Sequence, residues 1–161
     1  MRRVFWTGLW VFVLDQLSKL LVVQLLDLKT RGEIDVLPPV LNLRMAWNTG
    51  INFGLFSRQS DIARWVLIAI AIAIVIGVIV WLRRQPQGRW AQISAGLLIG
   101  GALGNVIDRL VYGAVADFLN MSCCGIENPF AFNVADIAIF AGAIGLAIFA
   151  REEPRKKAGR S

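Results

Sequence analysis

Four long apolar blocks separated by short polar segments dominate the pattern of this chain. Residues 65–82 (WVLIAIAIAIVIGVIVWL) and 90–107 (WAQISAGLLIGGALGNVI) carry no charge, and each is 18 residues long. That is close to the roughly 20 residues needed to cross a hydrocarbon core of about 30 Å. Block 4–26 carries only Asp15 and Lys19 as charges, and block 129–150 only Asp136, with Asn133 beside it. None of the blocks alternates with period two, so strands are a poor reading of them. A cleavable leader is the other reading of the first block. No small-residue cleavage site follows it, and the apolar stretch runs on through Leu26.

One segment between the blocks has a different rhythm. In Val40–Trp47 the apolar residues Leu41, Leu43, Met45 and Trp47 alternate mainly with polar ones, which predicts a half-buried strand. Pro38 and Pro39 mark its start and Thr49-Gly50 its end. The pattern therefore predicts an all-α membrane protein with four transmembrane helices, at about 4–26, 63–82, 90–112 and 133–150. A small extracytoplasmic β-sheet lies between helices one and two. Residues 1–150 form a single membrane domain, and 151–161 a basic tail.

Composition supports this reading. The chain is 57% hydrophobic and 17% charged, against about a quarter charged in ordinary soluble domains. Its mean hydropathy is +0.61. The net charge of +6 might suggest nucleic acid, but the basic residues sit at the ends of apolar blocks, so no nucleic-acid partner is expected. Arg2, Arg3, Arg83, Arg84, Arg89, Arg151, Arg155, Lys156, Lys157 and Arg160 make ten of the 17 Lys and Arg, all in flanks that fall on one side. The positive-inside rule then places both termini in the cytoplasm. There is no His, which excludes a histidine-based metal site and a Ser–His–Asp triad. Cys123 and Cys124 are adjacent; such cysteines rarely pair, and two thiols do not make a usual zinc site.

The charges inside the blocks call for an explanation, since each costs about 2.5–3.5 kcal/mol near the bilayer centre on insertion scales. At 1.5 Å of rise per residue, Asp15 and Lys19 lie about 18 and 24 Å above Arg3. Asn105, Asp108 and Arg109 lie about 24, 28 and 30 Å above Arg89. Counting back from Arg151, Asp136 and Asn133 lie about 22 and 27 Å up. Three helices thus place polar groups in the same outer third of the membrane. Asp15 and Lys19 share a helix face, as do Asn105, Asp108 and Arg109, and as do Asn133 and Asp136. Structural glue between helices is one reading, with Asp15–Lys19 and Asp108–Arg109 as ion pairs.

Asp117 and Asp136 have no obvious cation. Residues 118–135 between them form an outer hairpin that can return both carboxylates to one place. Two carboxylates so close share a proton, making one a base and the other an acid, as amide hydrolysis by activated water requires. Simple helix capping or packing is the alternative for both.

These segments carry a resemblance. Asp15-Gln16-Leu17-Ser18-Lys19, Asn48–Gly54, Gly100–Arg109, Val115-Ala116-Asp117-Phe118 and Phe132-Asn133-Val134-Ala135-Asp136 stand in order along nearly the whole chain. In them the chain resembles the bacterial lipoprotein signal peptidases, or signal peptidase II. The resemblance implies an aspartic endopeptidase that uses no metal and no cofactor, with Asp117 and Asp136 as the catalytic pair. It implies cleavage of prolipoproteins before a diacylglyceryl-modified cysteine, in contact with membrane lipid, by a monomer in the bacterial inner membrane whose site faces outward. Asn48, Gly50, Asn105, Asp108, Arg109 and Asn133 fall on positions that shape the site or bind substrate and cyclic peptide inhibitors. Asp15 and Lys19 fall on positions of structural support. Asn52 departs from the small residue expected there.

The rival reading is a small non-enzymatic transporter or channel subunit, whose polar groups would run through the full membrane depth. The inner half of every block here is almost purely apolar. A presenilin-type protease would carry a Gly-x-Gly-Asp motif, which is absent.

Overall fold

The computed structural model describes residues 1–38, 40–50, 60–122 and 128–150. Asn52, Cys123, Cys124 and the tail 151–161 lie outside them.

The long apolar blocks are helices. Helix α1 spans Arg2–Lys19 and continues as a π-helical turn over Leu20–Leu25. A four-residue helix α2, Leu28–Arg31, follows Asp27, whose φ of 53° turns the chain. Strands β1 (Glu33–Leu37) and β2 (Leu41–Asn48) come next, then α3 (Ser60–Arg84), α4 (Arg89–Tyr112), β3 (Val115–Met121) and α5 (Val134–Phe149). Among the described residues, three helices are long and apolar enough to cross a membrane: Arg2–Leu25, Asp61–Arg84 and Arg89–Tyr112. Helix α5, at 16 residues, is shorter than these.

Helix α4 is the centre of the bundle, with α1 and α5 packed closely on it and α3 more lightly. Its small residues allow this. Gly100 lies against Gly8 of α1, and a Cβ on Gly101 would sit 2.5 Å from the carbonyl oxygen of Ala135 in α5. Backbones meet where neither helix presents a side chain, the usual device for joining helices in lipid, where the hydrophobic effect between them is absent. Helix α3 instead turns Trp65, Val66, Ile70, Ile74 and Ile76 outward. In water such a surface would be an aggregation liability; in a bilayer it is the solvent-matched face.

The sheet differs from the expectation. It is three-stranded and antiparallel in the order β1–β2–β3, so its third strand comes from beyond α4 rather than from between the first two long helices. The run Val115–Met121 gives no period-two signal because its first four residues are buried on both faces. Strand β2 carries one extra residue between Leu43 and Ala46, since Leu43 pairs with Leu119 and Ala46 with Asp117. This bulge breaks the alternation: Leu43 is buried whereas Trp47 is exposed. It also sets Ala46 opposite Asp117. The sheet rests on Val22, Val23 and Leu28, which pack with Leu43, Ala116 and Phe118 as a second apolar core above the bundle.

Candidate active site

Asp117, which lies beyond the third long helix as expected, stands on β3, and Asp136 stands on α5, so the two aspartates come from a strand and a helix. Asp136 occupies the third position of α5. Asn133 is the N-cap of that helix, and the two form a capping box: the Asn133 side chain accepts from the Asp136 amide at 2.8 Å, and the Asp136 carboxylate from the Asn133 amide at 3.4 Å. The same Asn133, fully buried, donates from Nδ2 to Asp117 Oδ1 at 2.6 Å. One side chain thus caps the helix bearing Asp136 and grips the carboxylate of Asp117. Capping and approach of the two carboxylates, which looked like alternatives, are one arrangement.

The remaining contacts are also amides. Asn48, at the end of β2, donates to Asp117 Oδ2 at 3.0 Å. Its side-chain Oδ1 accepts from the Gly50 backbone amide at 2.9 Å, and Gly50 turns the chain with a φ of 86°. Asn105 of α4 donates to Asp136 Oδ1 at 2.8 Å. Arg109 donates from Nη1 to the Asn105 carbonyl at 3.3 Å, one turn back on its own helix. Among the described residues no cation lies within 4.0 Å of Asp117 or Asp136. Burial first, and then the Asp136 carboxylate, push the Asp117 carboxyl up to about 6, while the Asn48 and Asn133 hydrogen bonds and the Lys19 charge pull the other way.

Behind this pair lies a second one. Lys19 Nζ bonds Asp15 Oδ2 at 2.7 Å, as the four-residue spacing predicts, and also Asp108 Oδ2 at 2.7 Å. The expected ion pair of Asp108 with Arg109 does not form. Neighbouring residues on a helix point about 100° apart, and Asp108 turns inward to α1. Asp108 is fully buried with its oxygens occupied by Gln16, Lys19 and the Ala116 amide. Gln16 donates to Asp15 Oδ2 and Asp108 Oδ1, both at 3.1 Å. No role for Gln16 follows from the sequence pattern; its place beside Asp15 in the first motif is the available signal. All these groups fit because Gly104 has no side chain: a Cβ there would lie 2.6 Å from Asp15 Oδ2.

Long apolar helices around one buried carboxylate cluster define a multi-pass membrane protein, and the solved structures it resembles are membrane enzymes. One, a bacterial membrane enzyme solved by the in meso method at 1.9 Å resolution, superposes with a TM-score of 0.79 at 27% identity, covering 96% of each chain. A second, solved by the same method at 2.3 Å, gives 0.74 at 26% identity over 100% of this chain and 95% of that one. A family model described as signal peptidase (SPase) II matches residues 7–151, and the chain belongs to this family. A lipoprotein signal peptidase of Aeromonas hydrophila subsp. hydrophila is 42% identical over 156 residues, 96% of this chain and 92% of its own length. One from Methylobacterium sp. is 39% identical over 142 residues, 88% of this chain and 84% of its own. One from Methylorubrum extorquens is 46% identical over 110 residues; the match spans 68% of this chain and 63% of that relative.

Proposed function

We propose that this protein is an aspartic endopeptidase that removes the signal peptide from prolipoproteins, cutting before a diacylglyceryl-modified cysteine at membrane depth. The observation that carries the proposal is the carboxylate pair Asp117 and Asp136, held together by neutral amides with no cation in contact among the described residues. A raised Asp117 supports a pair that keeps one proton. Asp117 is assigned that proton and Asp136 the role of base. Asp136 takes a proton from water as the water oxygen attacks the scissile carbonyl, and Asp117 protonates the carbonyl oxygen. Collapse of the tetrahedral intermediate breaks the C–N bond: the proton on Asp136 passes to the leaving amine of the cysteine, and Asp117 takes its proton back from the hydroxyl as the new carboxyl group forms. No metal takes part, and the donor set agrees: no His is present and the only two thiols are adjacent.

The architecture proposed with it has four spans, α5 included, with both termini in the cytoplasm and the site toward the outer face of the bacterial inner membrane. The flanking arginines support the orientation. Substrate carbonyls would be oriented by Asn48, Asn105 and Arg109, with Gly50 shaping the turn beside them, and cyclic peptide inhibitors would compete there. The acyl chains stay in lipid, where each buried CH₂ contributes about 0.8 kcal/mol. The enzyme would act as a monomer.

The test is purified protein with one prolipoprotein precursor, with and without its diacylglyceryl group, in the same detergent, products read by mass. We expect cleavage before the modified cysteine, little or none of the unmodified precursor, and no effect of EDTA. Equal rates on both precursors would show that lipid is not read, and no cleavage of either would refute the activity.

A further inference from the structure

The buried ion cluster behind the two aspartates is built on a repeated pattern. Asp15 Oδ1 accepts from the backbone amide of Ala135 at 2.9 Å, and Ala135 is the residue just before Asp136. Asp108 Oδ2 accepts from the backbone amide of Ala116 at 3.2 Å, and Ala116 is the residue just before Asp117. Each rear carboxylate therefore holds the main chain one residue ahead of one front aspartate. Lys19 Nζ joins the two rear carboxylates at 2.7 Å each, and Gln16 Nε2 joins them again at 3.1 Å each. The chain of contacts runs from Asp136 through Ala135, Asp15, Lys19, Asp108 and Ala116 to Asp117. It links α5, α1, α4 and β3.

We propose that Lys19 is a positioning residue that sets the separation and the charge of the Asp117–Asp136 pair through this bridge. The proposal rests on the peptidase reading given above. An ammonium of fixed size between two carboxylates is a spacer as well as a counter-charge, and an error of about 1 Å in catalytic geometry can cost on the order of 10²-fold in rate. Purely structural glue would not need to end on these two amides.

The bridge also acts through charge. Asp117 faces Asn48 on β2, Asp136 and Asn133 at the start of α5, Arg109 and Asp108 on α4, and Lys19 on α1. Among these the Lys19 charge is one that draws the Asp117 carboxyl down. Without it, the pH at which the pair gives up its shared proton moves up.

The test compares Lys19→Met and Lys19→Arg with the unchanged protein, measuring Tm, kcat, KM and the pH profile on the lipid-modified precursor. For folded Lys19→Met we expect kcat down by about 100-fold, KM within about threefold, and the high-pH limb of the profile moved to higher pH. Lys19→Arg keeps the charge and loses the compact geometry, so we expect reduced kcat with the limb unmoved. If Lys19→Met does not fold, that result for Lys19→Arg decides in favour. A folded variant with a lowered Tm but unchanged kcat and pH profile would overturn the proposal, as would a loss lying wholly in KM. Asp117→Asn run alongside separates the two claims: its activity at any pH would remove the peptidase reading itself, whatever Lys19 does.

Discussion

Two pairs of aspartates lie side by side in this protein, and they are held in opposite ways. Asp15 and Asp108 share one ammonium, and each accepts three donors, from Lys19, from Gln16 and from a backbone amide. Asp117 and Asp136 share one asparagine, and amides are their only donors among the described residues. The rear pair is compensated in part, since a positive charge in contact with both offsets some of what burial costs two carboxylates. The front pair is hydrogen-bonded with no cation in contact among the described residues, and in the proposed mechanism a shared proton removes charge and serves the chemistry. Residue type is the same in both, and burial differs only at Asp136, which is half-buried where the other three are buried. On the proposed reading, the presence of one cation separates the structural pair from the reactive one.

The largest effect should come from the front pair. Asp117→Asn and Asp136→Asn should each lower the rate by at least about 10³-fold, with Tm close to that of the unchanged protein. Thermal unfolding in detergent alongside the cleavage assay checks both halves.

The rear pair should answer mainly in stability. Asp108→Ala strips Lys19 of a partner and frees the Ala116 amide, which should cost about 3–5 kcal/mol, seen as a large fall in Tm. An unchanged Tm would mean that the bridge is not structural at all.

A smaller loss is expected from Gly104→Ala, whose Cβ would meet Asp15 Oδ2 at 2.6 Å. Overpacking of this kind costs about 1–3 kcal/mol. Activity per folded molecule should fall with it, because Asp15 cannot move without releasing Ala135.

The smallest effect concerns pH. Asn48→Ala removes one hydrogen bond from the ionised form of Asp117, worth about 1 kcal/mol. The Asp117 carboxyl, already at about 6, should rise, and the high-pH limb of the rate profile should move up with it. The sign for stability follows from the same raised value. Ionising Asp117 costs more in the folded protein than in the unfolded chain. Its contribution is fully present below about pH 4 and is lost as pH rises through about 6.

Much of this was legible in the amino acids. Long apolar blocks dictate helices, because in lipid every backbone amide must be satisfied within the segment. Asp15 with Lys19, and Asn133 with Asp136, could be paired from helical spacing alone. Strand β2 was legible from the alternation over Val40–Trp47, close to the observed Leu41–Asn48, but the bulge between Leu43 and Ala46 left no mark in that pattern. Strand β3 was not, because burial on both faces removes the polar half of the pattern. The Lys19–Asp108 contact could not be read because spacing reports partners on one helix and says nothing about a facing one. Arg109 was the wrong partner for the same reason: it is next in sequence, yet a third of a turn away on the helix. The two backbone amides that connect the rear pair to the front pair belong to alanines, whose side chains carry no chemical signal.

The central claim is that the uncompensated pair does the chemistry and the compensated pair holds it. The most direct measurement is the cleavage of lipid-modified prolipoprotein by four folded variants in one assay: Asp117→Asn, Asp136→Asn, Asp15→Asn and Asp108→Asn, with product read by mass. We expect no product from the first two during a time in which the unchanged protein converts all its substrate. The last two, whose amide oxygens still accept from Ala135 and Ala116, should give slow but complete conversion. Near-normal turnover by Asp117→Asn or Asp136→Asn would contradict the assignment.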